Sequence, residues 1–419
     1  MISNIVIKIT NQLRPILLKI FPVGILKKCK GVMIKKSFNQ LKKARVLPYK
    51  RGVYQEGINI IGNIKAETGL GQSCRLVAKA VEEVHIPFSI LQYNAISNIN
   101  MKDFVWNEKI SDKLPYDINL IHINPHELGL AYMQLKQNVW DYRYNIGYWL
   151  WELEEFPEEW TPCFNCVHEI WTPSEYISCA IRKKTSLPVV TIPYYMELEC
   201  SGKYDRTSFG LPDNKFLFLM MYDHSSIMER KNPIGVLKAF KKAFDVQDDN
   251  VGLVIKINNC DKKDINKINE LLDGYTNVYL IHEILNRDQV NCLIRCVDVF
   301  VSLHRAEGFG LVMAEAMFLE TPVIATNWSA NTEFMNENVA CMVNYKLISI
   351  EKDLPPFRAG NRWAEPDLDV AAGYMKKLYE DTSFYKKIQC NAKQHIREAL
   401  SLDKIKNLII NRIKIIRDR

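Results

Sequence analysis

One segment of the chain, residues 298–319, limits the possible folds more than any other. Its start, 298–302, is mostly apolar and predicts a buried strand, and its end, 311–319, has the apolar face of a helix. The glycine turn Gly308-Phe309-Gly310 lies between them. Open α/β sheets bind ligands where a strand ends and a helix begins, and the helix N-terminus favours an anion. The segment therefore predicts an α/β fold with an anion site.

Two carboxylates stand eight positions apart around this turn. Glu307 lies in the loop, and Glu315 lies just over one turn inside the predicted helix, since a turn takes about 3.6 residues. A carboxylate repels phosphate but accepts hydrogen bonds from sugar hydroxyls. The pair predicts a ligand with hydroxyls on both sides of a diphosphate, and a nucleotide sugar fits.

Predicted strands and helices alternate in two successive sets, which indicates two doubly wound, mostly parallel sheets. The predicted strands are 58–62, 88–91, 118–123, 145–150 and 169–172, then 216–221, 251–257, 278–280, 297–303 and 323–325. We predict a basic N-terminal arm (1–50), a first Rossmann-like domain (51–200), a second (201–398) and a C-terminal basic helix (399–419). A cleft between the two domains is a common place for a ligand.

The spacing of Glu307 and Glu315 resembles the E-x7-E signature of the retaining glycosyltransferase family 4, or glycosyl transferases group 1. The resemblance extends from about residue 58 to the C-terminus. It implies the GT-B fold, in which two Rossmann-like domains, one for the acceptor and one for the donor, face each other across a cleft. It also implies that Glu315 binds ribose, and that the donor sugar is held by Glu307 and the backbone of Gly308, Phe309, Gly310 and Leu311.

A second block places cations at the start of a helix. Asn232 suits the N-cap of a helix that follows it, so Arg230 and Lys231 stand where an anion is expected. The block resembles a D-x2-S-x2-E-R-K-N-P element of one subgroup of the family. The resemblance assigns Lys231 to the donor diphosphate. The usual family arginine falls on Ser226, and we expect Arg230 to replace it in part.

Lys256 ends the apolar run 253–256 and is expected to contact phosphate or sugar, although a lysine that reaches out to solvent is the alternative. The pair Asp367 and Asp369 imitates a metal-binding D-x-D but lies outside the strand-end position that such a site requires. We therefore expect no cofactor and catalysis without a metal, because the cations are side chains. The nucleobase is expected near residues 282–285.

In the first domain, Gly69 and Gly71 are predicted to form a loop before a helix that begins at Ser73. Glycines let a backbone approach phosphate, but the loop is not a full G-x-G-x-x-G and the next strand lacks the acidic residue of an NAD site. In the family, this loop closes over the donor diphosphate and a histidine lies near the donor sugar. We assign that role to His126 rather than His122, with a structural histidine as the alternative.

Three further features of the sequence concern two replaced glycines and an aromatic block. Glu320 and Ala330 replace usual family glycines, and we expect Glu320 at a helix end that tolerates a side chain and Ala330 in a loop near the phosphates. The aromatic block 148–160 fits either sugar stacking at an acceptor site or a packed core.

The basic charge is concentrated in the arm. Residues 1–50 hold 12 Lys and Arg and no acidic residue, whereas the rest holds 43 basic and 48 acidic residues. Basic residues between isoleucines and leucines suit an anionic membrane surface; packing on the protein itself is the alternative, and the few aromatic residues argue against nucleic-acid binding. The basic, apolar segment 403–416 is expected to pack on the first domain or to contact lipid.

The 11 cysteines lack a regular framework, which suits a reducing compartment. The sequence has no apolar run of 18 residues and no signal-peptide pattern. We therefore predict a cytoplasmic protein, peripheral on the inner face of the membrane.

Together these features and the family resemblance predict an enzyme that moves a hexose from a nucleoside-diphosphate sugar to a hydroxyl of a glycan or lipid-linked acceptor. The resemblance implies that the anomeric configuration is retained, and with the basic arm it implies a role in bacterial surface polysaccharide synthesis such as capsule or O-antigen. The alternatives are a sugar-nucleotide epimerase on the same fold and a non-catalytic carbohydrate-binding or scaffold protein.

Overall fold

The computed structural model describes residues 23–93, 101, 103–224, 226–260 and 262–418, which form two compact units. The first unit comprises the described parts of Met1–Trp151, Glu155–Tyr195 and Leu402–Arg419. The second comprises the described parts of Glu152–Glu154 and Met196–Ser401. Each unit is built around its own six-stranded sheet, which confirms the predicted pair of doubly wound, Rossmann-like domains.

The first sheet has the order β2-β1-β3-β4-β5-β6, and its neighbouring strands are parallel. Its strands are β1 Gln55–Gly62, β2 Phe88–Gln92, β3 Tyr116–His122, β4 Tyr144–Tyr148, β5 Glu169–Thr172 and β6 Val189–Thr191. Because β2 and β3 lie on opposite sides of β1, the strand order reverses between β1 and β3. Two amide hydrogen bonds, Asn59 to Asn119 at 2.9 Å and Asn119 to Asn145 at 2.7 Å, join the three central buried strands.

The second sheet has the order β12-β11-β10-β7-β8-β9 and is also parallel. Its strands are β7 Phe216–Asp223, β8 Val251–Asn258, β9 Val278–Ile281, β10 Val299–Ser302, β11 Val323–Thr326 and β12 Cys341–Val343. A separate antiparallel hairpin, β13 Tyr345–Ser349 and β14 Arg362–Pro366, follows β12 in the sequence. Here the strand order reverses between β7 and β10. All ten predicted strands are present; 169–172 has the predicted bounds and the other nine differ by one to three residues at one or both ends, whereas β6, β12 and the hairpin were not predicted.

The strands of both sheets are largely buried, as expected of parallel sheets covered by crossover helices. The α-helices of the described residues are α1 Val23–Leu41, α2 Gly69–Glu83, α3 Pro125–Gln134, α4 Gln137–Trp140, α5 Glu175–Arg182, α6 Met228–Lys231, α7 Pro233–Ala243, α8 Lys262–Leu271, α9 Arg287–Cys296, α10 Leu311–Phe318, α11 Leu368–Glu380, α12 Thr382–Ala399 and α13 Leu402–Arg417.

The glycines after β1 are helical, which corrects the predicted loop. α2 begins at Gly69 rather than Ser73, because Thr68 caps it by accepting a hydrogen bond from the Gly71 amide at 3.2 Å. A Cβ at Gly71 would lie 2.0 Å from the carbonyl oxygen of Ala66, whereas a Cβ at Gly69 would meet nothing within 4 Å. Gly71 is therefore required by close packing of the helix start, and Gly69 is not.

The described end of the basic arm packs on the first unit. Ser37 and Leu41 of α1 are buried, and a Cβ at Gly129 of α3 would lie 2.5 Å from the Ser37 hydroxyl oxygen. Lys35 and Lys36, on the same helix, are exposed. The predicted membrane contact of residues 1–50 stays a prediction, and residues 1–22 of this arm lie outside the described residues. None of the helices in the described part of the chain has the length and apolar character needed to cross a bilayer.

The C-terminal helix α13 packs on the first unit, one of its two expected placements. It buries one apolar stripe at helical spacing, made of Ile405, Ile409, Ile413 and Ile416. Opposite α13, Glu169 at the start of β5 is fully buried and receives a two-pronged ion pair from Arg412, with Nε 2.6 Å from Oε1. Charge pairing of this geometry is strong and directional, so the pair fixes the register of α13 on the sheet.

Candidate active site

The two segments that carry most of the predicted site follow neighbouring strands of the second sheet. β7 and β10 pair in parallel, with Phe218 opposite Val299, and the strand order reverses between them. In open α/β sheets, ligands bind at such a switch point, beyond the C-terminal ends of the strands. Residues 224–232 follow β7 and residues 303–310 follow β10, so the cationic block and the carboxylate loop meet there.

Asn232 fixes the cationic block in place. Its backbone is left-handed, with φ 51°, and its side-chain oxygen accepts from the Gly235 amide at 3.1 Å, so it caps α7 as predicted. Its side-chain amide also donates to the Leu303 carbonyl at 2.9 Å, in the loop after β10. Arg230 and Lys231 end the short helix α6 directly before this cap. One buried side chain thus ties both segments of the site together.

Arg230 and Lys231 converge on one oxygen of Glu307. Arg230 Nη1 lies 3.3 Å from Glu307 Oε1 and donates to the Ala306 carbonyl at 2.9 Å, while Lys231 donates directly to the same Glu307 oxygen. Burial opposes ionisation of Glu307, but Lys231 and Arg230 lower its pKa to about 2. Burial lowers the pKa of Lys231, against the attraction of Glu307. The cluster is therefore a buried carboxylate shared by two cations.

The glycine turn holds the carboxylate loop at the start of α10. Gly310 has a left-handed backbone, with φ 95°, and a Cβ there would lie 2.5 Å from Met313 Cε. The Glu307 amide donates to the Ser329 hydroxyl at 2.9 Å. Phe309 is buried with its ring centroid 5.2 Å from that of Phe334. These contacts leave Glu307 in a single, fixed position at the helix start.

His304 is a buried site residue that the sequence analysis left without a role. Its Nε2 lies 3.0 Å from Asn331 Oδ1 and 3.2 Å from the Trp328 carbonyl, and its Nδ1 lies 3.0 Å from the Ser302 hydroxyl. A carbonyl only accepts, so Nε2 carries the proton and Nδ1 accepts from Ser302. Burial lowers the pKa of His304, which keeps it neutral. The feature of the sequence that could have identified His304 as a site residue is its position directly after β10.

Lys256 lies inside β8, two residues before the strand end, rather than at it. It is 2% exposed and donates to Asn258 on the same strand, so it does not reach out to solvent. Burial lowers its pKa to about 8, although Glu283 and Asp223 favour the charged form. A lysine with this pKa remains mostly charged at neutral pH, so Lys256 adds a buried cation near the end of β8.

Glu315 lies inside α10 and is 1% exposed. Neither of its carboxylate oxygens accepts a hydrogen bond from the described residues, although Arg287 Nη2 lies 2.8 Å from Oε2. Arg287 is the first residue of α9, and no motif in the sequence points to it. The segment 282–285, where the nucleobase is expected, lies in the loop 282–286 that directly precedes that helix.

In the first unit, the predicted residues lie around the switch point between β1 and β3. His122, at the end of β3, is buried, with Nε2 2.6 Å from the Ser73 hydroxyl, which is also 2.6 Å from the Tyr194 hydroxyl. Burial lowers the pKa of His122 to about 4. His126 lies in the first turn of α3, with its side chain 42% exposed and its ring centroid 5.6 Å from that of Trp160.

Four other features of the sequence have simple structural accounts. Glu320 lies two residues after the end of α10 with a left-handed backbone, φ 67°, and pairs with Lys393 at 2.6 Å. Ala330 is fully buried at the start of a 3₁₀ turn. Asp367 caps α11 by accepting from two backbone amides. The aromatic block is mostly a packed cluster, with buried Trp149, Trp151, Phe156 and Trp160. Among the described residues, no group of His, Cys, Asp and Glu is arranged to bind a metal ion.

Comparison with known proteins agrees with this architecture. Residues 203–395 match the family model described as glycosyl transferases group 1. Anabaena HepE, solved with UDP and glucose, superposes with a TM-score of 0.60 at 13% identity, over 86% of this chain and 100% of that chain. A Rickettsia africae glycosyltransferase gives 0.61 at 15% identity, over 87% and 99%. Sucrose-phosphate synthase from Thermosynechococcus elongatus gives 0.65 at 11% identity, over 86% and 99%.

No curated protein sequence matches the chain significantly, so the assignment depends on the family model and the fold. The switch-point site of the second sheet lies inside the matched range, and the chain superposes on these structures over most of its length. The chain has the GT-B fold of these enzymes, and residues 203–395 of its second unit match the glycosyl transferases group 1 family.

Proposed function

We propose that the enzyme moves a hexose from a nucleoside-diphosphate sugar to a hydroxyl of a glycan or lipid-linked acceptor, retaining the anomeric configuration and using no metal. The observation that carries the proposal is the convergence of Arg230 and Lys231 on Glu307 at the switch point of the second sheet. A site with two fixed cations and a buried carboxylate suits a ligand that is anionic on one side and hydroxylated on the other.

The cations act on the leaving group. Cleavage of the bond between the sugar and the diphosphate places negative charge on the departing oxygen. Arg230, Lys231 and the buried Lys256 are positive side chains that need no rearrangement to stabilise this charge as it develops. Their presence is also the reason to propose metal-independent catalysis, which dialysis against EDTA tests directly.

The carboxylates act on hydroxyl groups. We assign Glu307, with the backbone of Gly308, Phe309, Gly310 and Leu311, to the donor sugar, and Glu315 to the ribose. The acceptor hydroxyl attacks the face from which the diphosphate leaves, and a diphosphate oxygen takes its proton, so no protein nucleophile is required. Gly69, Gly71 and the exposed His126 are assigned to the donor from the first unit.

The structural neighbours suggest where to begin with the donor. HepE was solved with UDP and glucose, so UDP-hexoses are the first donors to test. The basic arm supports a place on the inner face of the cytoplasmic membrane and a lipid-linked acceptor, in surface polysaccharide synthesis such as capsule or O-antigen. Neutralising the exposed Lys35, Lys36, Lys42 and Lys43 with glutamine is expected to weaken sedimentation with anionic vesicles, and unchanged sedimentation contradicts this placement.

The deciding experiment combines binding with turnover. Thermal unfolding is measured with UDP, GDP, ADP, dTDP and CMP, for the wild type and Glu315→Ala. A ligand at 100 times its Kd stabilises the folded state by about 2.7 kcal/mol. We expect one diphosphate to raise the Tm of the wild type clearly and that of the variant less.

Turnover then separates the reaction classes. Release of that diphosphate from its hexose donor, accelerated by a hydroxyl acceptor, supports transfer, and product anomeric configuration tests retention. Conversion of the donor to its epimer without diphosphate release indicates an epimerase. Binding with neither reaction, not even slow donor hydrolysis, indicates a non-catalytic sugar-binding protein and contradicts the proposal.

A further inference from the structure

Glu315 has hydrogen-bonding capacity that the protein does not use. It is 1% exposed, yet neither carboxylate oxygen accepts a hydrogen bond from any described residue. A buried polar group without partners is costly, and such groups call for an explanation. Its charge is balanced, because Arg287 Nη2 lies 2.8 Å from Oε2. The site therefore supplies a positive charge to Glu315 without supplying aligned donors.

The donors of Arg287 are directed elsewhere. Its Nε and Nη2 donate to the Asn291 side-chain oxygen at 2.9 and 2.6 Å, one helical turn further along α9. The Asn291 amide in turn donates to the Glu199 carbonyl at 2.8 Å. This chain of contacts fixes the plane of the guanidinium, which is the property that separates arginine from lysine.

The helix that carries Arg287 is itself anchored. Asn286 and Gln289 form a reciprocal capping box at its start. Asp288 accepts hydrogen bonds from the Ser201 amide at 3.0 Å and hydroxyl at 2.6 Å. The start of α9 is thus held both by its own cap and by the segment around Ser201, so Arg287 projects from a fixed support.

We infer that Arg287, held by Asn291, is a positioning residue that balances the Glu315 charge without donating a hydrogen bond to it, and thereby prepares this carboxylate for the two neighbouring hydroxyls of a ribose. Two oxygens that accept no hydrogen bond within the protein match two vicinal hydroxyls, each of which donates one hydrogen bond. A 2′-deoxyribose offers one donor fewer. The arrangement therefore predicts selectivity for ribonucleotides, and this inference rests on the proposed function.

The test measures affinity by calorimetry for UDP, GDP and ADP, each beside its 2′-deoxy counterpart. A hydrogen bond to a charged group is worth about tenfold or more in affinity, so we expect the wild type to prefer its ribonucleotide by that factor. Arg287→Gln is expected to reduce the preference to about threefold or less, because the carboxylate loses its fixed counter-charge. Arg287→Lys is expected to restore part of the preference.

Two further variants keep the inference testable if Arg287→Gln does not fold. Asn291→Ala frees the guanidinium to donate to Glu315 and compete with the ribose, so the preference is expected to fall. Arg295→Gln is the matched control on the same helix, with an exposed side chain 3.7 Å from Glu320, and is expected to behave as wild type. A full preference in folded Arg287→Gln or Asn291→Ala overturns the inference alone, whereas a wild type that binds no diphosphate overturns the proposed function and the inference with it.

Discussion

The two sheets of this protein have similar architecture but end in different chemistry at their switch points. In the first unit, Ser73, His122 and Tyr194 form a buried, neutral cluster in which each group finds a partner inside the protein. In the second unit, Glu307 and Lys231 belong to a buried, charged cluster. The same location in the fold is therefore a structural element in one unit and a candidate catalytic element in the other.

The two clusters show that buried neutral groups and buried charged groups have different effects on stability. Neutral groups that satisfy one another stabilise a core and leave nothing for a ligand. Buried charges pay a desolvation penalty that their mutual attraction does not reliably offset, so stability alone is a weak reason to keep them. The charged cluster is better explained by reaction chemistry, and the following experiments test this contrast from the largest expected effect to the smallest.

The largest effect is expected from the charged cluster. Lys231→Met and Glu307→Gln should each lower the rate of hexose transfer about 10²- to 10³-fold, the usual loss when one preorganised charge-stabilising group is removed. The measurement is kcat/KM with the donor identified by binding. Lys242→Ala, which removes an exposed ion pair to Asp369 in the same unit, should leave the rate within twofold. Equal losses in all three variants would show that the charged cluster contributes no more to catalysis than an exposed ion pair does.

The paired glycines at the start of α2 separate packing from ligand contact. Gly71→Ala places a Cβ about 2.0 Å from the Ala66 carbonyl oxygen and should destabilise the protein by about 1–3 kcal/mol or more. Gly69→Ala meets nothing within 4 Å and should unfold at the same denaturant concentration as the wild type or slightly higher. If Gly69→Ala nevertheless weakens donor binding, its predicted role at the diphosphate gains support; unchanged binding contradicts that role.

The neutral cluster predicts a pH dependence of stability. The folded-state pKa of His122 is about 4, below its ordinary value of 6.5, so the unfolded state binds the proton more readily between these values. Stability should be complete above about pH 6.5 and fall by up to about 3 kcal/mol as the pH drops to 4. His122→Gln should flatten this part of the curve. Urea unfolding at half-unit pH steps measures it, and an unchanged slope in the variant would contradict the assignment.

Lys256 is expected to lower the stability of the fold at neutral pH while it contributes to diphosphate binding. Its folded-state pKa is about 8 rather than 10.5, so burial of its charge destabilises the fold below about pH 8, and this effect disappears as the pH rises through 10.5. Lys256→Met should raise the free energy of unfolding at neutral pH by about 1–3 kcal/mol and weaken diphosphate binding. A variant that is less stable and binds normally would identify Lys256 as a structural residue.

Much of the second unit was predictable from local sequence. The strand before Gly308, the helix after it and the cap at Asn232 each depend on a few neighbouring residues, so periodicity and turn chemistry identify them. Lys231 and Glu307 were predicted separately, as contacts of the donor diphosphate and the donor sugar, and their direct contact was not predicted. Local patterns fail where partners are distant in sequence: β6 and β12 are three residues long and follow no strong pattern.

The sequence by itself determined the fold class, the two sets of strands and the charged motif of the donor unit, because these arise from short-range periodicity and residue type. Only the tertiary structure decided which histidine is buried in the first unit, that Gly71 is needed for packing, and that Arg287 stands beside Glu315. Those facts depend on burial and on contacts between distant segments, which no local window of sequence contains.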